Sequence, residues 1–132
     1  MANEKKQKIL IIDDDSFLLD MYALKFSESS FEVVPSQGSE DALAKLREGL
    51  IPDVMLVDIV MPKIDGFELL KIIQKEKLGG DTLKVILSNR GQQADIDMGN
   101  TLGAAGYIVK ASATPSEVVK KIKDIVSVGK KK

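Results

Sequence analysis

Apolar residues in this chain follow two rhythms. Short unbroken runs (Ile9-Leu10-Ile11-Ile12, Val54-Met55-Leu56-Val57, Val85-Ile86-Leu87, Tyr107-Ile108-Val109) alternate with longer stretches of mixed polarity. A continuous apolar run suits a strand covered on both faces, and recurrence every three or four residues suits an amphipathic helix. The pattern predicts strands at 9–12, 31–35, 54–57, 85–87 and 107–109. It predicts helices at 16–29, rich in Phe17, Leu18, Met21, Leu24 and Phe26, and at 39–46, with Ser39 as N-cap and Gly49 as the stop. A third helix starts at Asp65, whose spacing to Glu68 is that of a capping box, and breaks at Gly79-Gly80. A fourth, at 92–102, is poorly patterned and contains Gly99 and Asn100. The last starts at Thr114-Pro115-Ser116-Glu117 and turns Val118, Val119, Ile122, Ile125 and Val126 to one face.

Strand and helix alternate five times. That order implies an α/β fold: a five-stranded, doubly wound parallel sheet with helices on both faces. At 132 residues the chain is one domain, with body at 8–128 and polar tails at 1–7 and 129–132. No segment approaches the ~20 apolar residues of a membrane span, and no signal peptide is readable.

Open α/β sheets present their chemistry at the carboxyl ends of the strands. Here those ends carry Asp13-Asp14-Asp15, Asp58, Ser88 and Lys110. Asp15 with Ser16 also suits a plain helix cap. Clustered carboxylates repel one another unless a cation sits with them. The chain has no cysteine and no histidine, so thiolate and imidazole chemistry are excluded. The suitable metal is a hard one bound through oxygen, and few carboxylates with several waters suit Mg²⁺. Carboxylates, a divalent cation, a lysine and a hydroxyl around one point make a phosphoryl-handling site. Nineteen basic and twenty acidic residues nearly cancel, which argues against a nucleic-acid partner. A reducing, cytoplasmic setting is compatible with the absence of cysteine.

The chain resembles the receiver domain of bacterial response regulators across residues 8–128. The matching segments are Ile9 to Asp15, then Asp58-Ile59-Val60-Met61-Pro62-Lys63-Ile64-Asp65-Gly66, then Val85 to Ser88, then Gly103-Ala104-Ala105-Gly106-Tyr107-Ile108-Val109-Lys110. The intervals of 44 residues from Asp14 to Asp58, 30 on to Ser88 and 22 on to Lys110 are typical of that family. The resemblance implies a (βα)5 flavodoxin-like fold with strand order 2-1-3-4-5. It implies that Asp58 accepts a phosphoryl group from the phosphohistidine of a histidine kinase or phosphotransfer protein. Asp13, Asp14, Asp58 and the backbone carbonyl of Val60 would hold Mg²⁺, and Lys110 would pair with Asp58. Ser88 and Tyr107 would be the switch pair. The face of the fourth helix, fifth strand and fifth helix would dock a downstream protein, with no nucleic acid or membrane involved. Val60, Asn89 and Arg90 would set the phosphoryl lifetime, expected to be minutes or longer.

This sequence departs from the family pattern in three places. Ala111 stands where proline usually follows the lysine, so a trans Lys110–Ala111 peptide is expected. Asn89 replaces a small residue, and Ser112 sits near a common aromatic position. Two other readings stay open. Asp13-Asp14-Asp15 also fits the Asp-x-Asp start of haloacid-dehalogenase-type phosphatases, with Asp13 as nucleophile and Asp15 as acid/base. A receiver fold can also serve as an interaction module without phosphorylation.

Overall fold

The computed structural model describes residues 6–130. Its elements alternate throughout: β1 (Gln7–Ile12), α1 (Ser16–Glu28), β2 (Phe31–Ser36), α2 (Ser39–Arg47), β3 (Val54–Val57), α3 (Gly66–Glu76), β4 (Leu83–Ser88), α4 (Gln93–Thr101), β5 (Gly106–Val109) and α5 (Pro115–Lys130). A short 3₁₀ turn, Lys110–Ser112, follows β5. The strands form one parallel sheet in the order β2-β1-β3-β4-β5, as expected.

The unbroken apolar runs have a direct structural cause. Successive side chains of a strand point to opposite faces. Ile9 and Ile11 join Leu19, Tyr22, Phe26, Val118 and Ile122 on the α1/α5 side. Leu10 and Ile12 join Leu43, Leu46, Leu69, Leu70 and Ile73 on the α2/α3 side. Both faces are dry, so both sets must be apolar.

The structure differs from the sequence reading in three local respects. The inward face of α1 is Leu19, Tyr22 and Phe26, while Phe17 and Leu24 are exposed. The period of that helix puts residues 19, 22 and 26 on one stripe and 17 and 24 on the opposite one. The N-cap of α2 is Gly38, with φ 96°, a backbone state that glycine adopts without penalty. Ser39 is instead the first helical residue, and its buried hydroxyl donates to the Ile64 carbonyl at 2.9 Å. The supposed tails are shorter than read: Gln7 pairs with Phe31 inside the sheet, and α5 runs to Lys130. Gly129 weakens a helix by about 1 kcal/mol relative to alanine but does not end one. Residues 1–5 and 131–132 lie outside the described residues.

β2 is an edge strand and contains Pro35. The Lys45 ammonium donates to the Pro35 carbonyl at 2.8 Å and to Ser36 Oγ at 3.0 Å. Among the described residues, no helix is long and apolar enough to cross a membrane.

Candidate functional site

The site is assembled by loops that leave the carboxyl ends of four strands. β1 delivers Asp13, which is 3% exposed. Both of its carboxylate oxygens are engaged: Oδ1 accepts the Asp15 N–H at 2.9 Å and Oδ2 accepts the Lys110 ammonium at 2.9 Å. Asp14 stands exposed beside it. Asp15 caps α1, its carboxylate accepting the Leu18 N–H at 3.1 Å. That bond gives Asp15 the helix-capping role that its position before Ser16 also suited.

β3 delivers Asp58, 8% exposed. Its N–H donates to the Ile12 carbonyl at 3.0 Å, which locks the end of β3 to the end of β1. Its Oδ1 accepts the Ile59 N–H at 2.8 Å, and its Oδ2 lies 3.5 Å from the Lys110 ammonium. The loop then folds back beneath it: Gly66 donates its N–H to the Ile59 carbonyl at 2.8 Å. A Cβ on Gly66 would collide with the Asp58 carbonyl and come within 2.8 Å of Ile59 Cα, so only glycine fits. The expected capping box is present, with Asp65 accepting the Glu68 N–H and Glu68 accepting the Asp65 N–H.

Lys110 arrives from the end of β5, its side chain 11% exposed. It lies closer to Asp13 than to Asp58, where the resemblance pointed to Asp58. Burial alone would lower the ammonium's pKa, but the hydrogen bond to Asp13 and the charges of Asp58 and Asp13 outweigh it and hold the pKa above its ordinary value. Burial pushes the Asp58 carboxyl above its usual range; Lys110 pulls it down, Asp13 pushes it up, and the Ile59 N–H pulls it down. One ammonium thus serves two buried carboxylates, and the centre keeps a surplus of negative charge.

Ser88, at the end of β4, is fully buried, and its Oγ accepts the Arg90 N–H at 3.2 Å. The Tyr107 hydroxyl donates to the Arg90 carbonyl. The Arg90 guanidinium does not lie loose at the rim. It donates to Asp95 at 2.8 Å and lies 5.9 Å from the centre of the Phe67 ring. Asn89 is exposed, and Val60 is 62% exposed. The described residues contain no cis peptide, so Lys110–Ala111 is trans.

The structure therefore brings together Asp13, Asp58 and Lys110 in direct contact. It gathers Ser88, Arg90 and Tyr107 into a second, linked group. Among the described residues, no three acidic side chains are grouped closely enough to hold a metal, and Asp14 is exposed. Sequence reasoning missed Tyr22 on α1, which is 4% exposed. Burial raises its phenol pKa, Lys110 pulls it back, and Asp13 and Asp58 raise it again, so it feels the charged centre. The readable signal was its place on the stripe with Leu19 and Phe26. Asp95, buried and paired with Arg90, was missed as well.

A family model described as the response regulator receiver domain matches residues 9–123. The chain is 32% identical over 123 residues to the probable transcriptional regulator ycf27 of Guillardia theta, a match covering 93% of this chain and 46% of that protein. It is 31% identical over 120 residues to the alkaline phosphatase synthesis transcriptional regulatory protein PhoP of Bacillus subtilis, covering 91% of this chain and 48% of that one. The chain spans about half the length of the curated relatives it matches. A CheY-like response regulator receiver domain protein from Methanospirillum hungatei has a similar structure, with TM-score 0.86 at 27% identity, over 96% of this chain and 98% of that one. Vibrio cholerae chemotaxis protein CheY4 gives TM-score 0.82 at 25% identity, over 91% and 98%.

Proposed function

The chain belongs to the response regulator receiver domain family, the signalling domains of two-component systems, and from that premise we propose that Asp58 is its phosphoacceptor. The observation that carries this reading is the Asp58 carboxylate itself. It is nearly buried at the end of the central strand β3, fixed by the Ile59 N–H and faced by the Lys110 ammonium. The donor is a phosphohistidine of a histidine kinase or phosphotransfer protein. In the transfer an Asp58 oxygen forms the new P–O bond, the P–N bond to imidazole breaks, and its electron pair returns to the ring. Lys110, already shared by Asp13 and Asp58, balances the negative charge carried in by the phosphoryl oxygens.

The donor set also fits Mg²⁺. It is made only of oxygens, and its buried part has two carboxylates against one ammonium. Asp13, Asp14, Asp58 and the Val60 carbonyl would hold the ion, which would neutralise negative charge gathered at the site. Asp14, exposed in this structure, would turn inward to join them. The Ser88 hydroxyl would donate to a phosphoryl oxygen and give up its bond from the Arg90 N–H. That exchange would loosen the loop which Tyr107 and Asp95 now hold, and would deliver the signal to the α4–β5–α5 face for a protein partner. The Val60 side chain offers no polar group with which to orient a water. Arg90 is tied to Asp95, so a lifetime of minutes or longer remains the expectation.

The test is incubation with acetyl phosphate, with and without Mg²⁺, read by intact mass. One phosphoryl group should add in the presence of Mg²⁺ and none should add to Asp58→Asn. Full labelling of Asp58→Asn would move the acceptor elsewhere. No labelling of the wild type by this donor or by a phosphorylated histidine-containing protein would return the reading to an interaction module.

A further inference from the structure

Arg90, two residues past the end of β4, is fastened to four elements at once. Its N–H donates to Ser88 Oγ of β4 at 3.2 Å, and its carbonyl accepts the Tyr107 hydroxyl of β5. Its guanidinium donates to Asp95 of α4 at 2.8 Å and stands 5.9 Å from the centre of the Phe67 ring, at the start of α3. The Asp95 carboxylate is nearly buried, while the arginine side chain is half exposed. Burial raises the Tyr107 phenol pKa, Asp95 raises it further and Arg90 lowers it, so the ion pair lies beside the tyrosine as well.

This pair differs from an ordinary surface ion pair in what depends on it. α4 has no side-chain cap, and its buried residues are Asp95 and Gly99, which has no side chain to pack. A carboxylate taken out of water is costly unless a cation stays with it. α4 therefore keeps its seat while Arg90 remains in reach. Arg90 in turn has a fixed side and a movable side. Phe67 belongs to α3, which is held by its capping box and by Leu69, Leu70 and Ile73. The Arg90 N–H, by contrast, rests on the Ser88 hydroxyl, the group that a phosphoryl oxygen would claim. A movement that frees Ser88 shifts the Arg90 backbone and strains its hold on Asp95.

We propose that Arg90 and Asp95 form a latch on the unphosphorylated arrangement and are positioning residues that hold down the affinity of the Asp58 site for a phosphoryl group. The inference rests on the reading of Asp58 as phosphoacceptor. The latch is closed while Ser88 holds the Arg90 N–H and opens when Ser88 turns to the phosphoryl oxygen. Breaking the ion pair opposes that turn, so a chain without the pair takes up the group more readily. The arginine is half exposed and screened by water, so the effect is severalfold rather than hundredfold.

The experiment is an NMR titration of the full chain with beryllofluoride, an inorganic mimic of a phosphoryl group, in the presence of Mg²⁺. Arg90→Ala and Asp95→Asn should each bind it about fivefold more tightly than wild type. Asp95→Asn removes the charge at nearly constant size, so the fold is kept. The double variant should bind no more tightly than the singles, because both remove one contact. Arg90→Lys, which keeps the charge without the planar fork, should fall between Arg90→Ala and wild type. Damage to the site would weaken binding, so the direction of the change separates a latch from a merely structural pair. The proposal is overturned if both single variants bind as wild type does or more weakly, or if their effects add. Failure of the Asp58 reading looks different: wild type then shows no saturable shifts, or Asp58→Asn shows the same ones. In that case the ligand-free protein decides. Asp95→Asn should speed hydrogen exchange severalfold at the Arg90 amide and across α4 while α3 is unchanged, and unaltered protection there would overturn the latch.

Discussion

Helices α3 and α4 follow neighbouring strands of one sheet, yet they are held in opposite ways. α3 begins with a reciprocal cap between Asp65 and Glu68, buries Leu69, Leu70 and Ile73, and ends on Lys77 in the left-handed conformation. α4 has no side-chain cap at Gln92, and its buried residues are Asp95 and Gly99. Its attachment is polar: Arg90 to Asp95, with the Tyr107 hydroxyl on the Arg90 carbonyl. Apolar packing is lost gradually with distance, whereas a hydrogen bond can be exchanged for another of similar strength. The two helices thus divide the work. α3 and its loop keep Asp58 in place, and α4 with its loop has partners it can trade, as an element with two arrangements requires.

The sharpest test of this contrast uses two glycines. Gly66→Ala sets a methyl against the Asp58 and Ile59 backbone, which cannot yield. A loss of about 3 kcal/mol is expected, together with loss of labelling at Asp58. Gly99→Ala meets the Ile86 Cδ1 end at 2.8 Å and the Tyr107 ring edge at 3.3 Å, side-chain atoms that can shift. Alanine also favours the helix by about 1 kcal/mol, so the net change should stay within about 1 kcal/mol. Urea denaturation of both variants measures the difference, and equal losses would erase the contrast.

A smaller effect is expected at the latch. Arg90→Ala leaves the Asp95 carboxylate without its cation. The arginine is half exposed, so solvent screening limits the cost to about 1 kcal/mol. Hydrogen exchange should speed up in α4 and in the loop at 89–92 while α3 keeps its protection. Faster exchange in both helices would show that they move as one unit.

The mildest test is acidity, in buffer with EDTA. The Asp58 pKa is raised in the folded state by burial. A raised carboxyl binds its proton more tightly when folded, so folding is favoured below the ordinary carboxylate pKa. That advantage is lost as pH rises through the folded value. Wild type should therefore lose stability relative to Asp58→Asn as pH rises through that window, and the gap should be constant above it. A gap that is independent of pH would mean that burial and the two neighbouring charges cancel at this carboxylate.

Much of this architecture is legible in the residues. The apolar quartets at 9–12 and 54–57 could only be doubly covered strands, and both capping boxes form, including Thr114 with Glu117. The positions of Asp13, Asp58, Ser88 and Lys110 follow from strand ends. What could not be read are the choices made in three dimensions. Phe17 and Leu24 look like core but face solvent, because the strip of α1 that meets the sheet is fixed by packing against α5 and β2. Lys110 has two carboxylates within reach, and no sequence spacing says that Asp13 is the nearer. Arg90 and Asp95 are five residues apart across a helix start, where no simple periodicity brings them together. Ser39 looked like a cap because hydroxyls often are, while the left-handed turn needed Gly38.

One small feature of β2 reaches beyond the single molecule. The outer edge of a sheet invites other chains to add a strand, and Pro35 sits on that edge. It has no N–H to offer, and its carbonyl is already occupied by Lys45. The opposite edge, β5, is only four residues long before the chain curls into the turn at Lys110–Ser112. Both rims of the sheet are therefore poor templates for intermolecular pairing, which guards against aggregation at high concentration.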